Sequence, residues 1–134
     1  MPDSIASAFA GGTFAITLFV SDLTATEDFY GTKLGLARVW GDENSVVYRC
    51  GETMINFLAE SQAPELVEPT KVANHEDGAR AVYTLRFADV DLAAAELEAA
   101  GVTLLNGPLD RPWGVRTVSF ADPSGHIWEL ANHA

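Results

Sequence analysis

Glu129 sits in the apolar run Ile127-Trp128-Glu129-Leu130, where two-residue alternation puts its carboxylate on one strand face with Ile127 and Ala131, opposite Trp128. Such a carboxylate can act as a base or attract a cation, but burying it unpaired is costly, so a neighbouring group must compensate it. Arg86 is the candidate, because alternation from Val82 through Thr84 places it on the corresponding face of its own strand. A second centre of interest is Arg111-Pro112-Trp113-Gly114-Val115-Arg116. Trp113 lies in a loop, where a large flat ring is suited to stacking on an aromatic or cationic ligand, and Arg116 is expected to hold that loop. Trp40, at the end of a strand, fits packing, an interface or a ligand contact equally, whereas Trp128 reads as packing.

Other chemistries find no support. Cys50 is the only cysteine, which excludes an intramolecular disulfide and a thiolate cluster within one chain, and no sequence neighbour would activate it. His126 follows Asp122-Pro123-Ser124-Gly125 and reads as turn chemistry, while His75 and His133 read as solvated. There is neither a phosphate-cradling glycine loop nor a nucleophile elbow. A net charge of -11 argues against nucleic acid and anionic membranes, both of which reward clustered Lys and Arg. No apolar run approaches the ~20 residues of a membrane span, and the N-terminal residues do not form a signal peptide, so a cytoplasmic location is expected.

The elements that must position these residues come in duplicate. With 134 residues, 48% of them hydrophobic, the chain can bury one shared core. Residues 1–12 read as a flexible leader ending in Gly11-Gly12. Phe14, Ile16, Leu18 and Val20 then alternate with Ala15, Thr17 and Phe19, a strand with two unlike faces. Asp22 or Thr24 caps a helix carrying Phe29, Tyr30 and Leu34, Gly35 ends it, and strands follow at Leu36–Trp40, Val46–Cys50 and Thr53–Leu58. The order recurs: strand Ala81–Phe87, cap Asp89 or Asp91, helix Leu92–Ala100, stop Gly101, then strands Val102–Leu105, Val115–Phe120 and Ile127–Leu130. The expected organisation is therefore a first module over 13–59, a linker or lid over 60–80 and a second module over 81–134. Neither module can bury its sheet alone, so pairing within or between chains, and a homodimer, are expected.

Three stretches carry a more specific signal: Val20-Ser21-Asp22-Leu23 through Phe29-Tyr30 to Leu34-Gly35-Leu36; the Arg-Pro-Trp-Gly loop; and Phe120 through Leu130 with its Asp122-Pro123-Ser124-Gly125 turn. Together they resemble the vicinal oxygen chelate superfamily, which includes glyoxalase I, extradiol dioxygenases and bleomycin-resistance proteins, from about Thr13 to Ala131. The resemblance implies an α+β fold of two tandem βαβββ modules, with curved, mostly antiparallel sheets forming a half-barrel cleft. In the metalloenzymes four side chains hold one divalent ion. Their positions fall here on Ala15, near Asn56, on Val82 or Tyr83, and on Glu129, so neither a metal nor another cofactor is expected.

The resemblance is greatest to the metal-free bleomycin-resistance branch, and implies a small-molecule binding protein that sequesters an aromatic or cationic compound, such as an antibiotic, without changing it. Trp113, Glu129, Arg116, Trp40, Asn56, Arg86, Phe57 and Phe19 are the candidate ligand contacts. Phe57 and Tyr48 have opposite parity on adjacent strands, which would aim them oppositely. The competing expectation is a lyase, isomerase or dioxygenase of the same superfamily, using Glu129 as base or a metal held at displaced positions.

Overall fold

In the computed structural model, which describes residues 4–132, Asp22 and Asp89 start the two equivalent helices. Asp22 accepts from the Ala25 amide and Asp89 from the Leu92 amide, both at 3.0 Å, satisfying donors that a helix start leaves without partners. The elements in order are α1 (Ile5–Ala10), β1 (Ala15–Val20), α2 (Leu23–Glu27), β2 (Arg38–Gly41), β3 (Ser45–Cys50) and β4 (Thr53–Ala59). Then come α3 (Pro64–Val67), β5 (Val82–Arg86), α4 (Val90–Ala99), β6 (Leu104–Asp110), β7 (Arg116–Ala121) and β8 (Ile127–Ala131). No described helix is long and apolar enough to cross a membrane.

The strands form two four-stranded sheets, ordered β1-β4-β3-β2 and β5-β8-β7-β6. In each, the first strand runs parallel to the fourth and the other pairings are antiparallel, so the two modules share one topology. Register makes the equivalence residue-specific: Thr17 lies beside Asn56 in the first sheet as Thr84 lies beside Glu129 in the second.

Several elements differ from expectation. Residues 5–10 of the expected leader form a helix, because the Ser4 side chain accepts from the Ser7 amide and caps it. Helix α2 widens into a π-helical turn over Asp28–Lys33, closed by the Leu34 amide on the Phe29 carbonyl at 2.9 Å. The linker contains α3 and 3₁₀ turns at Glu60–Gln62 and His75–Asp77. Strand β6 starts later than expected and runs on through Gly107-Pro108, with register shifts on either side of Asn106. Only glycine fits at 107: its φ is +89°, and a Cβ would come within 2.4 Å of the Thr117 carbonyl oxygen on β7.

One face of each sheet packs into a common core. Leu18, Val20, Tyr48, Ile55 and Phe57 from the first module meet Val118, Phe120, Trp128 and Leu130 from the second, with α2 and α4 contributing Phe29, Tyr30, Ala93, Ala94 and Leu97. Tyr30 stacks on Phe57 with ring centroids 4.3 Å apart, and Phe29 lies 6.0 Å from Phe120 across the module boundary. Polar ties accompany the apolar ones. The Tyr30 hydroxyl donates to Asp122 Oδ2 at 2.7 Å and accepts from Trp128 Nε1 at 2.8 Å. Asp122 Oδ1 accepts from the Ser124 and His126 amides, and the His126 ring Nε2 donates to the Phe19 carbonyl of β1 at 2.8 Å. Burial, and then the Asp122 carboxylate, push the Tyr30 hydroxyl far above its ordinary pKa, so it stays a donor.

Two outcomes follow. Tyr30→Phe leaves Trp128 Nε1 and Asp122 Oδ2 facing each other without the oxygen between them, and is expected to cost about 2–3 kcal/mol in urea denaturation. Because the folded state keeps the Tyr30 proton when the unfolded chain releases it, stability is full below pH of about 10 and falls as pH rises beyond it. In the Tyr30→Phe variant that alkaline fall should be smaller, as read from denaturation midpoints across an alkaline pH series.

Candidate functional site

The sheet faces turned away from the core carry most of the predicted residues. On the first sheet, Ala15, Thr17 and Phe19 of β1 share a face with Met54, Asn56 and Leu58 of β4, since each pair is in register. Val47 lies opposite Asn56, and Trp40 opposite Val47, so Trp40 belongs to the same face at its edge strand, 55% exposed. On the second sheet, Val82, Thr84 and Arg86 align with Ile127, Glu129 and Ala131. Ser119 and Thr117 of β7 extend that face, opposite Glu129 and Ala131.

Glu129 is half-buried at the centre of this second face, and its Oε1 accepts from the Thr84 hydroxyl at 2.9 Å. Arg86, expected as its partner, lies one rung further on beside Ala131 and makes no ion pair among the described residues. A hydroxyl next to a partly solvated carboxylate supplies what a buried carboxylate would otherwise need from a cation. Its counterpart in the repeat is Asn56, whose Oδ1 is buried with no hydrogen-bond partner among the described residues. An unpaired buried acceptor carries a penalty of about 1–3 kcal/mol, which a donor from a ligand or water would relieve.

Two predicted contacts lie on the other side. Phe57 is fully buried in the core, because β3 and β4 pair with Val46 opposite Phe57 and Tyr48 opposite Ile55. In that register Tyr48 and Phe57 point the same way, which corrects the expectation that their parity aims them oppositely. Arg116 alternates with Thr117 toward the helix side and binds Asp91 at the start of α4 through two nitrogens, at 3.0 and 3.1 Å, and Asp110 through a third at 3.1 Å. These hydrogen bonds hold the Asp91 carboxyl below the usual carboxylate range and raise the guanidinium further. Arg116 thus ties β6 and β7 to α4.

The loop is instead held by Arg111, whose role no local pattern in the sequence reveals. Its Nε donates to Thr117 Oγ1 and its Nη2 to Asn106 Oδ1, both at 2.9 Å, and its guanidinium carbon lies 6.0 Å from the Trp113 ring centre. The Arg111 amide meets the Val115 carbonyl at 2.7 Å, closing the loop at its base. Trp113 projects from it, 70% exposed. Thr84, Ser119, Asn106 and Arg111 therefore give the Glu129 face a polar lining. Alternation could have revealed Thr84, but the others depend on how β6 and β7 pair. Among the remaining histidines, His75 lies in the linker and His126 bridges the modules, while His133 lies outside the described residues.

The four positions at which the resemblance places metal ligands do not fit a divalent ion. Ala15 and Val82 have no donor atom, leaving the Asn56 amide oxygen and the Glu129 carboxylate on different sheets. If Val82 is replaced by its neighbour Tyr83, that side chain turns to the core side, where its ring packs 5.1 Å from Trp128. Divalent sites of this kind need three or more converging N or O donors.

Comparison with known proteins agrees with this architecture. Residues 13–130 match the profile of the Glyoxalase/Bleomycin resistance protein/Dioxygenase superfamily. Among similar solved structures is a glyoxalase/bleomycin resistance protein/dioxygenase from Nocardioides, with 23% identity, TM-score 0.78, and coverage of 88% of this chain and 80% of that one. A glyoxalase-related enzyme from Fulvimarina pelagi matches with 27% identity, TM-score 0.76, and coverage of 89% and 86%. Lactoylglutathione lyase from Agrobacterium tumefaciens matches with 22% identity, TM-score 0.71, and coverage of 98% and 94%.

If Glu129 is held for function and not for folding, Glu129→Gln should be nearly neutral in stability, because a Gln carbonyl still accepts from Thr84. Urea denaturation is expected to place the variant within about 1 kcal/mol of the parent. A loss well beyond that would make Glu129 a structural residue.

Proposed function

The chain belongs to the glyoxalase/bleomycin resistance protein/dioxygenase superfamily, and we propose that within it this protein is a small-molecule binder that holds its ligand without making or breaking bonds. One observation carries the reading: of the four positions at which the resemblance places metal ligands, Ala15 has no donor atom and the third falls on Val82, which has none, or on Tyr83, whose ring packs on Trp128 at the core side. The outward faces carry one carboxylate, Glu129, on the second sheet, the Asn56 acceptor without a partner among the described residues on the first, and exposed aromatic rings at Trp40 and Trp113. A flat compound bearing a positive charge meets each of these features, by stacking on the rings and by attraction to Glu129. An antibiotic of that chemistry, as in bleomycin resistance, is the ligand class we favour.

The ligand site is a cleft completed by a second copy of the chain. Trp40 and Val82 on these outward faces are each 55% exposed, and Leu105 is 56% exposed, more large apolar surface than a monomer of this size gains from showing to water. Pairing two chains brings such faces together, as expected where no single module closes its own sheet. With no membrane span among the described helices and no nucleic-acid chemistry, a role in the cytoplasm fits the reading.

Tryptophan fluorescence of the purified protein, titrated with bleomycin-type, mitomycin-type and other flat cationic compounds, tests the proposal. Saturable quenching by at least one compound, recovered unchanged, is the expected result, with affinity reduced roughly tenfold in Trp113→Ala. Conversion of the compound would establish the enzymatic alternative, with Glu129 as base. Stoichiometric Zn, Ni, Mn or Fe in protein prepared without chelators would overturn the metal-free reading.

A further inference from the structure

A cavity of about 330 Å³ lies beneath the segment that joins the two modules; neither Glu129 nor Trp113 lines it, and Ile127, two positions before Glu129 on the same strand face, does. Its floor includes Thr17 and Phe19 of β1, Tyr83 of β5 and Ile127 at the start of β8, and its roof is the strap of residues 71–81. This volume lies at the lower end of the range typical of small-molecule pockets.

The strap is a built roof. Asn74 and Asp77 close a reciprocal cap around the 3₁₀ turn: the Asn74 amide donates to Asp77 Oδ2 and the Glu76 amide to Asn74 Oδ1, both at 2.9 Å. Next to it, Gly125 has φ +89°, and a Cβ there would lie 2.8 Å from the His75 Cβ. The strap therefore rests directly on the β7–β8 turn, which is itself fixed to β1 through His126 and the Phe19 carbonyl.

The charge of this cavity opposes that of the chain. Acidic residues outnumber Lys and Arg by 19 to 8 overall, yet the cavity is lined by Lys71 and Arg80 against a single acid, Glu60. Neither cation is in an ion pair among the described residues, whereas Arg38 and Arg116 are. Two unpaired cations above an apolar and aromatic floor present charge-assisted donors to one end of a ligand and a dispersion surface to the rest.

We propose that the cavity under the strap is a binding site for a small anion, an organic molecule with a carboxylate or phosphate group held by Lys71 and Arg80 and a short apolar body seated on Phe19 and Ile127. The arginine offers a planar fork to two oxygens of the anion, and the lysine adds a point charge. The site has the opposite ligand preference to the Glu129 face, so one protein presents a cation-attracting surface and an anion-binding cavity.

The test titrates the uniformly ¹⁵N-labelled full chain with inorganic phosphate and, separately, with benzoate at constant ionic strength, following backbone amide shifts. The expected result is saturable movement confined to residues 17–19, 71–81 and 124–127. Benzoate should bind more tightly than phosphate, because the floor takes its apolar ring; the reverse order would overturn the apolar seat on Phe19 and Ile127. In the variant Lys71→Gln/Arg80→Gln the dissociation constant should rise at least about tenfold, with the amide spectrum elsewhere unchanged. Absence of saturable shifts with both anions, or shifts that survive in the double variant, would overturn the proposal. The dye titration is read on tryptophan fluorescence and its dependence on Trp113, and the anion titration on strap amides, so either site can fail alone.

Discussion

The hydrogen-bonded group of Tyr30, Asp122 and Trp128 is the constraint on which the two-module structure rests. Each residue comes from a different element: Tyr30 from the π-helical turn after α2, Asp122 from the β7–β8 turn and Trp128 from β8. All three are buried, so their polar atoms have to be satisfied by one another. The phenol oxygen donates once and accepts once, which fixes its orientation and with it the docking of the first module's helix on the second module's sheet. Asp122 spends its other oxygen on the amides of Ser124 and His126, so one carboxylate orders both the module junction and the turn. Apolar packing between Phe29, Phe57 and Phe120 supplies the attraction, and the polar triad specifies the geometry in which it operates.

That junction decides what the sheets can do. Because the modules use their helix-bearing faces to form one core, the opposite faces of both sheets are left for ligands or for another chain. Asn56 and Glu129 occupy equivalent positions on those two faces, beside Thr17 and Thr84, yet they have diverged in chemistry. The acid has a hydroxyl partner, and the amide oxygen has none among the described residues. The repeated scaffold therefore carries an asymmetric lining.

Much of this was legible in the sequence wherever the signal was local. The alternation in β1 and β8, the Asp22 and Asp89 caps and the stops at Gly35 and Gly101 each depend on residues a few positions apart, and each appears where the pattern put it. Glu129 and Trp128 were assigned opposite faces by the same rule. What escaped depends on partners distant in the chain. The π-helical turn carries Tyr30, whose hydroxyl bonds Asp122 far along the chain, and β6 continues past Gly107-Pro108 because Gly107 lets it approach β7. The side on which Phe57 lies follows from the β3–β4 register, which parity alone does not give. Arg116 was drawn toward the ligand loop by its nearness to Trp113, whereas Asp91, 25 positions earlier, claims it.

The linker over residues 60–80, which ends in the strap, illustrates the same limit from the other direction. Its composition reads as a linker with little periodicity, and nothing local announces that Lys71 and Arg80 line one cavity with Phe19 and Ile127. That shared lining arises because the linker must travel from the end of β4 to the start of β5 and is caught on the way by Gly125, the one residue of the turn without a side chain to repel His75. A connection that the duplication requires on topological grounds thereby becomes a roof. Its charge is the part that topology does not require: in a chain with a net charge of -11, Lys71 and Arg80 line the cavity and make no ion pair among the described residues.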